Sequence, residues 1–282
     1  MARELRVRPL RNRESELALA YLEQRPRLNL VLLDMVLRLA RPARRGEPRP
    51  EVLAAWRGTE LAGVAGLQPS VVLDASAERS VLEAFFPHLG GLGSGLVKST
   101  EEVVAPLWEW LEARGRRALL DRMEVAFALE PPGPRLVASP PDRIVRSATL
   151  QDLEFLVAAA RDSLREERRP DPSRRDPLGF RRWVRSRIAR AVVVEQAGQP
   201  RFVGYADVQC PRGWLLQGVF TAPSERRQGL AEVGVSELCR RAFAAGSDHV
   251  QLAVVEGNTA AETLYARLGF QRFARLRTLL FE

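Results

Sequence analysis

Asn258-Thr-Ala-Ala-Glu-Thr-Leu-Tyr265-Ala-Arg-Leu-Gly269-Phe270 is the stretch on which the reading of this chain turns. Ala261, Leu264, Tyr265 and Leu268 fall on one helical face, and Gly269 ends the helix behind them. Thr259 and Glu262 have capping-box spacing, so the helix starts for local reasons. Asn258 has the chemistry of an N-cap. By periodicity alone, Tyr265 is a core residue whose hydroxyl reaches a polar edge.

Upstream lies Arg226-Arg-Gln-Gly229-Leu-Ala231, between a strand expected to end near Thr221 and a helix expected from Gln228. The first turn of a helix carries unpaired N–H groups and a partial positive charge, which a phosphate satisfies directly. Gly229 lacks a Cβ and Ala231 is nearly as small, so backbone and anion can approach closely. Arg226 and Arg227 are placed to add charge-assisted bonds. Alone, this hexapeptide reads equally well as a glycine near a helix start with surface arginines.

Together the two segments resemble motifs A and B of the GNAT (GCN5-related N-acetyltransferase) superfamily. Arg226, Gly229 and Ala231 match motif A, Arg/Gln-x-x-Gly-x-Gly/Ala, and Leu216-Gln-Gly-Val-Phe-Thr-Ala-Pro resembles the strand that leads into it. Asn258, Ala261, Leu264, Tyr265, Gly269 and Phe270 match motif B, Asn-x-x-Ala-x-x-Leu-Tyr-x-x-x-Gly-Phe. The resemblance covers residues 144–282. It implies acetyl-CoA as co-substrate, bound where two parallel strands splay apart, here Leu215–Thr221 and Val250–Val255. Backbone at Val219, Phe220 and Thr221 would follow the pantetheine arm. Arg226, Arg227, Gln228, Gly229, Leu230 and Ala231 would hold the pyrophosphate, and Asn258 would touch the cofactor arm. Tyr265 would lie near the sulfur and protonate the departing thiolate. No metal is implied.

The activity so implied is direct acetyl transfer from CoA to a primary amine, carried by a small molecule or a protein. The alternative is a non-catalytic acyl-CoA-binding sensor or interaction module. It is motivated by the base: where many relatives carry a glutamate, this chain has Gln217. Glu195, Asp207 and Glu256 are titratable alternatives, each of which also reads as a surface or structural carboxylate. His88 and His249 are isolated and read as structural. Arg161–Arg190 falls on the implied acceptor side, where Glu166 and Glu167 would attract a cationic amine.

Bulk properties bound these expectations. The net charge of +8 favours anionic partners, and a polyphosphate cofactor fits it. Nucleic acid fits it too, but no helix-turn-helix, zinc-ligand set or aromatic-basic RNA motif supports that reading. No apolar run is long enough to span a bilayer, so no membrane partner is expected. Cys210 and Cys239 are too few for a disulfide framework and read as reduced hydrophobes in a cytoplasmic protein. A monomer or homodimer is expected.

The length, 282 residues, suits two domains. The fold class expected is α/β (α+β): tandem GNAT-like domains, each a mixed, mostly antiparallel twisted sheet flanked by helices. Proline-rich residues 131–142 read as a linker between a domain at 1–130 and a catalytic domain at 143–282. Leu22-Glu-Gln-Arg-Pro-Arg-Leu-Asn29 resembles the N-terminal region of two-domain bacterial GNAT proteins, which implies a degenerate GNAT-like half. Gly90–Gly95 reads as a flexible loop, leaving one cofactor site, in the C-terminal half. Ala197-Gly-Gln-Pro reads as a hairpin turn between strands Ala191–Gln196 and Phe202–Gln209, and Thr100 as the N-cap of a helix from Glu101 to Ala113.

Overall fold

One order of elements occurs twice along the chain: strand, two helices, three strands, helix, strand, helix, strand. The computed structural model describes residues 4–42, 49–68, 70–131 and 135–282. The first pass comprises β1 (Leu5–Pro9), α1 (Ser15–Leu22), α2 (Leu30–Ala40), β2 (Glu51–Arg57), β3 (Glu60–Gln68), β4 (Val72–Leu73), α3 (Arg79–Leu89), β5 (Gly95–Thr100), α4 (Glu101–Glu112) and β6 (Ala118–Leu129). The second comprises β7 (Arg143–Ser147), α5 (Leu153–Glu166), α6 (Pro177–Ser186), β8 (Ala191–Gln196), β9 (Gln199–Cys210), β10 (Gly213–Thr221), α7 (Leu230–Ala244), β11 (Val250–Val255), α8 (Thr259–Arg267) and β12 (Gln271–Phe281). Among the described residues no helix is long and apolar enough to cross a membrane.

The chain divides into two compact units, Met1–Ala126 with Phe273–Glu282, and Phe127–Arg272. In the first, β1 to β4 form an antiparallel meander. The buried run Val52-Leu-Ala-Ala-Trp56 of β2 is apolar throughout because both faces are covered. Val52, Ala54 and Trp56 pack with α1 and α2, while Leu53 and Ala55 pack with α3 and α4. Thr100 takes the N-cap position of α4 with extended backbone, yet its side chain makes no cap bond, a correction to the expected capping.

β12 pairs antiparallel with β5, from Leu276↔Thr100 to Phe281↔Gly95, and puts Leu279 and Phe281 into the core of the first unit. The sequence placed these residues in the 143–282 domain; an isolated strand carries no local mark of the sheet it joins. Glu124 of β6, 3% exposed, is held by Lys98, by Arg122 at 3.0 Å and by the Thr278 hydroxyl at 2.9 Å. A buried carboxylate needs that many partners to offset its lost hydration.

In the second unit β7 to β10 are antiparallel, and β10 runs parallel to β11. Ala197 and Gly198 both have positive φ, 51° and 72°, the backbone of a two-residue hairpin. The tight turn starts β9 at Gln199 rather than at Phe202, and Pro200 is accommodated beside a register shift. Successive residues of β9 face opposite ways. Val203 and Tyr205 join the core under α5 and α6, while Phe202 and Gly204 meet α7. Of the expected linker, residues 132–134 lie outside the described residues. Beyond them the backbone N–H of Arg135 bonds the Leu268 carbonyl at 3.2 Å, and that of Val137 the Ser236 hydroxyl at 3.1 Å. The segment is therefore tied down along α7 and the end of α8.

Candidate functional site

β10 and β11 begin as partners and then part. Their register runs only through Trp214↔Val250 and Leu215↔Gln251, although β10 continues to Thr221 and β11 to Val255. A β-bulge explains part of the divergence. On the other side of β10, Gln217 pairs with Tyr205 and Phe220 with Val203, so Gly218 and Val219 share one partner position. Gly218 sits at φ 57°, the left-handed conformation such a bulge uses, and the extra residue leaves the ladder. The carboxyl ends of two parallel strands, beyond their last register pair, part into a cleft of the kind that takes ligands in open α/β sheets.

The connection from β10 leads straight to the start of α7. Arg227 has φ 63° and Gly229 φ 79°, both left-handed, on either side of Gln228. Alternation of this kind turns successive N–H groups inward into an anion-binding concavity. Gly229 is the N-cap of α7, and no side chain caps the terminus. The helix therefore starts at Leu230, two residues later than the sequence suggested, and the intervening turn carries the positive backbone ends.

The flanking side chains divide. Arg226 is exposed but engaged: its Nε bonds the Thr221 carbonyl at 3.2 Å and its Nη2 the Glu166 carboxylate at 2.5 Å. Gln228 donates to Glu225 at 3.2 Å, and Arg227 is exposed. Phe220 and Leu230 turn their side chains into the core at 6% and 1% exposure, leaving only their backbone to a ligand. The sequence did not single out Arg143 at the start of β7. Its Nη1 lies 3.4 Å from where a Gly229 Cβ would be, which brings a third guanidinium to the turn from a distant point in the chain.

At the carboxyl end of β11, Asn258 caps α8, its Oδ1 accepting from the Ala261 N–H at 3.2 Å. The expected Thr259–Glu262 capping box is not formed. Thr259 is the first helical residue, and Glu262 pairs instead with Arg272. Tyr265 is 5% exposed, its ring 5.6 Å from that of Phe270 and 6.3 Å from that of Phe127. Burial, with a smaller contribution from nearby Cys239, pushes its phenol above the ordinary tyrosine range, so the hydroxyl is a proton donor at neutral pH.

Of the three carboxylates considered as bases, Asp207 and Glu195 are committed elsewhere, while Glu256 is exposed just past the end of β11. Asp207 takes two bonds from Arg187, at 3.0 and 2.5 Å, and Glu195 takes one from Arg146 at 2.9 Å. Gln217 is exposed on β10. Among the described residues no group of His, Cys, Asp and Glu side chains gathers as a metal-ligand set.

Residues 153–270 match the family model described as the acetyltransferase (GNAT) family. No curated protein matches the chain. Among solved structures, a Drosophila protein superposes with a TM-score of 0.74 at 14% identity, covering 97% of this chain and 98% of that one. A tandem GNAT protein from the clavulanic acid biosynthesis pathway gives 0.58 at 13% identity, covering 98% of both chains. A GCN5-related N-acetyltransferase from Sphaerobacter thermophilus gives 0.58 at 16%, covering 98% of this chain and 95% of that one. At these identities the likeness is one of fold, and it extends over both halves of the chain.

Proposed function

Starting from a chain whose residues 153–270 form a GNAT domain, we propose that the second unit is an acetyl-CoA-dependent N-acetyltransferase. The carrying observation is the parting of β10 from β11 after Leu215 and Gln251, with the uncapped, glycine-bearing start of α7 at the same end. Acetyl-CoA has the two features such a site selects. Its pyrophosphate fits the N–H groups from Gln228 to Ala231, with Arg143, Arg226 and Arg227 close by. Its pantetheine amides would pair with backbone of β10 at Val219 and Thr221, as an added strand would.

The thioester supplies an activated acyl carbon. The amine nitrogen bonds to that carbon, the C–S bond breaks, and the nitrogen loses its extra proton to solvent. Tyr265, neutral in its buried setting, donates a proton to the departing sulfur and regains one from solvent, balancing the proton the nitrogen released. With Asp207 and Glu195 tied to arginines, no protein base is required if the amine arrives neutral. Asn258 keeps its cap role, and its amide nitrogen is left for the cofactor arm. The acceptor is an amine on a small molecule or a protein.

The first unit repeats the order of elements without repeating the turn. α3 begins after Glu78, with neither an arginine-glycine segment nor a left-handed glycine there, and Asp74 lies close upstream. A carboxylate at a helix start stabilises the helix but repels phosphate. This supports a GNAT-like half without a cofactor site of its own.

Titration calorimetry with acetyl-CoA tests the reading: one site per chain is expected, abolished by Gly229→Glu. Undiminished binding in that variant refutes the assignment of the α7 turn. The commitment of Asp207 and Glu195 to arginines also favours a second reading, an acyl-CoA sensor without turnover. Steady thiol release with some member of a broad amine panel eliminates the sensor.

A further inference from the structure

Residues 161–190 carry eleven arginines and five carboxylates, so six of the eight excess positive charges of the chain fall within thirty residues. The carboxylates are all engaged. Asp162 pairs with Arg165 at 3.0 Å, Glu166 with Arg226 at 2.5 Å and Glu167 with Arg169 at 3.7 Å. Asp171 and Asp176 cap the backbone, accepting from the Ser173 and Gly179 N–H groups at 2.9 and 2.7 Å. Arg168, Arg175 and Arg185 are exposed, and their guanidinium groups have no ion pair or hydrogen bond among the described residues. The two glutamates expected to attract a cationic amine are therefore occupied, and the charge left open is positive.

The same segment borders the cleft. Phe180, Val184 and Ile188 share one core with Phe220 of β10, and Leu164 packs against it. Glu166 meets the turn before α7 through Arg226. Arg187, stacked on the Tyr205 ring at 3.9 Å, has its Nη2 3.5 Å from where a Gly218 Cβ would be, beside the β10 bulge. The α5–α6 layer thus reaches both the α7 turn and the bulge.

A positive wall acts twice on an amine that approaches the thioester. It disfavours the ammonium form and so promotes the neutral nucleophile, where Asp207 and Glu195 are tied to arginines. It also attracts any anionic group on the same molecule, and guanidinium suits carboxylate and phosphate alike. A polycationic acceptor meets the repulsion alone.

We propose that the acceptor is an amine bearing a carboxylate or a phosphate, drawn to the cleft by the arginines of the α5–α6 layer, with Arg168, Arg175 and Arg185 as the open charges. This rests on the acetyltransferase reading above and adds the substrate class.

Thiol release at saturating acetyl-CoA tests it with matched amines: phosphoethanolamine against ethanolamine, amino acids against their amides, and spermidine as the polycation. Wild type is compared with an Arg168→Gln, Arg175→Gln, Arg185→Gln variant, whose Tm should match because the three side chains have no partners to lose. In wild type the anionic member of at least one pair should lead in kcat/KM by about tenfold at low salt, and the lead should fade in high salt. The variant should lose about three- to tenfold of that lead, with the counterpart lacking the anion unchanged. A preference for spermidine or for the members without an anion overturns the proposal, and so does a panel in which no anionic member turns over. A lead that the variant keeps in full overturns it too, as does an equal fall of both members, which would assign the arginines to the coenzyme or the fold. Calorimetry separates the two readings: if wild type fails to bind acetyl-CoA, the coenzyme reading falls, whereas binding with a cationic preference removes this inference alone.

Discussion

The Arg226 guanidinium lies 2.5 Å from the Glu166 carboxylate, which joins the turn before α7 to the last residue of α5. The arginine that marks the phosphate turn in sequence is thus held by an acid 60 positions away in the chain. An incoming pyrophosphate competes with Glu166 for it. Both side chains are 44% exposed, so the pair is weak and screened by salt. Glu166→Gln should therefore tighten acetyl-CoA binding about two- to fivefold at low ionic strength, with the gain fading in high salt. Calorimetry at two salt concentrations decides this; weaker binding in the variant would show that Glu166 does not compete.

Tyr265→Phe should lower turnover by about 10²- to 10⁴-fold while leaving acetyl-CoA affinity in place, the pattern of a lost proton donor. Single-turnover thiol release measures it. The buried phenol also sets a sign for stability. Its folded pKa is raised above the ordinary value of 10.0, so its contribution is full below that pH and declines as pH rises through the folded value. Tyr265→Phe should accordingly flatten the alkaline loss of Tm above about pH 10.

Asp152 carries an opposite dependence. It is 3% exposed, receives two bonds from Arg146 at 2.7 and 2.8 Å, and accepts the Thr149 N–H at 2.7 Å. The Arg146 bonds lead in holding its carboxyl below the usual range, with burial opposing. A depressed folded pKa gives stability that is present above the unfolded value and lost as pH falls through the folded one. Asp152→Asn should cost about 2–3 kcal/mol at pH 7, and the gap to wild type should narrow toward pH 3. Urea unfolding across that range checks both the size and the direction.

What could be read in the sequence was local. The Ala197-Gly198 turn, the β10 span and the Gly229 turn each depend on residues within a few positions of one another, and each is found where the motif stood. The cap of α8 was ambiguous because Asn258 and Thr259 both suit it, and only backbone geometry chose Asn258. The misses are non-local. Arg143 reaches the Gly229 turn from β7, Tyr205 reaches the bulge from β9, and β12 leaves its own half to pair with β5. None has a periodic or spacing signature. The one hint was negative: Gly218, inside an otherwise regular strand, marked a bulge or a close approach, and the structure shows both.

Gly234 tests how closely α7 must lie on the sheet. A Cβ there would fall 2.1 Å from Cε1 and 2.5 Å from Cδ1 of Phe202, a fully buried ring with little room to retreat. Alanine is the better helix former by about 1 kcal/mol, so propensity alone predicts a gain from Gly234→Ala. Overpacking of a filled core costs about 1–3 kcal/mol and should reverse the sign. Since α7 also presents the Gly229 turn, any retreat of the helix should weaken acetyl-CoA binding alongside stability. Shortening the opposing ring separates the two effects. In a double-mutant cycle, Phe202→Leu should cost stability alone, yet remove most of the penalty of Gly234→Ala, giving a favourable coupling of about 1 kcal/mol or more. Additive losses in denaturant unfolding would mean that the glycine is not there to admit Phe202.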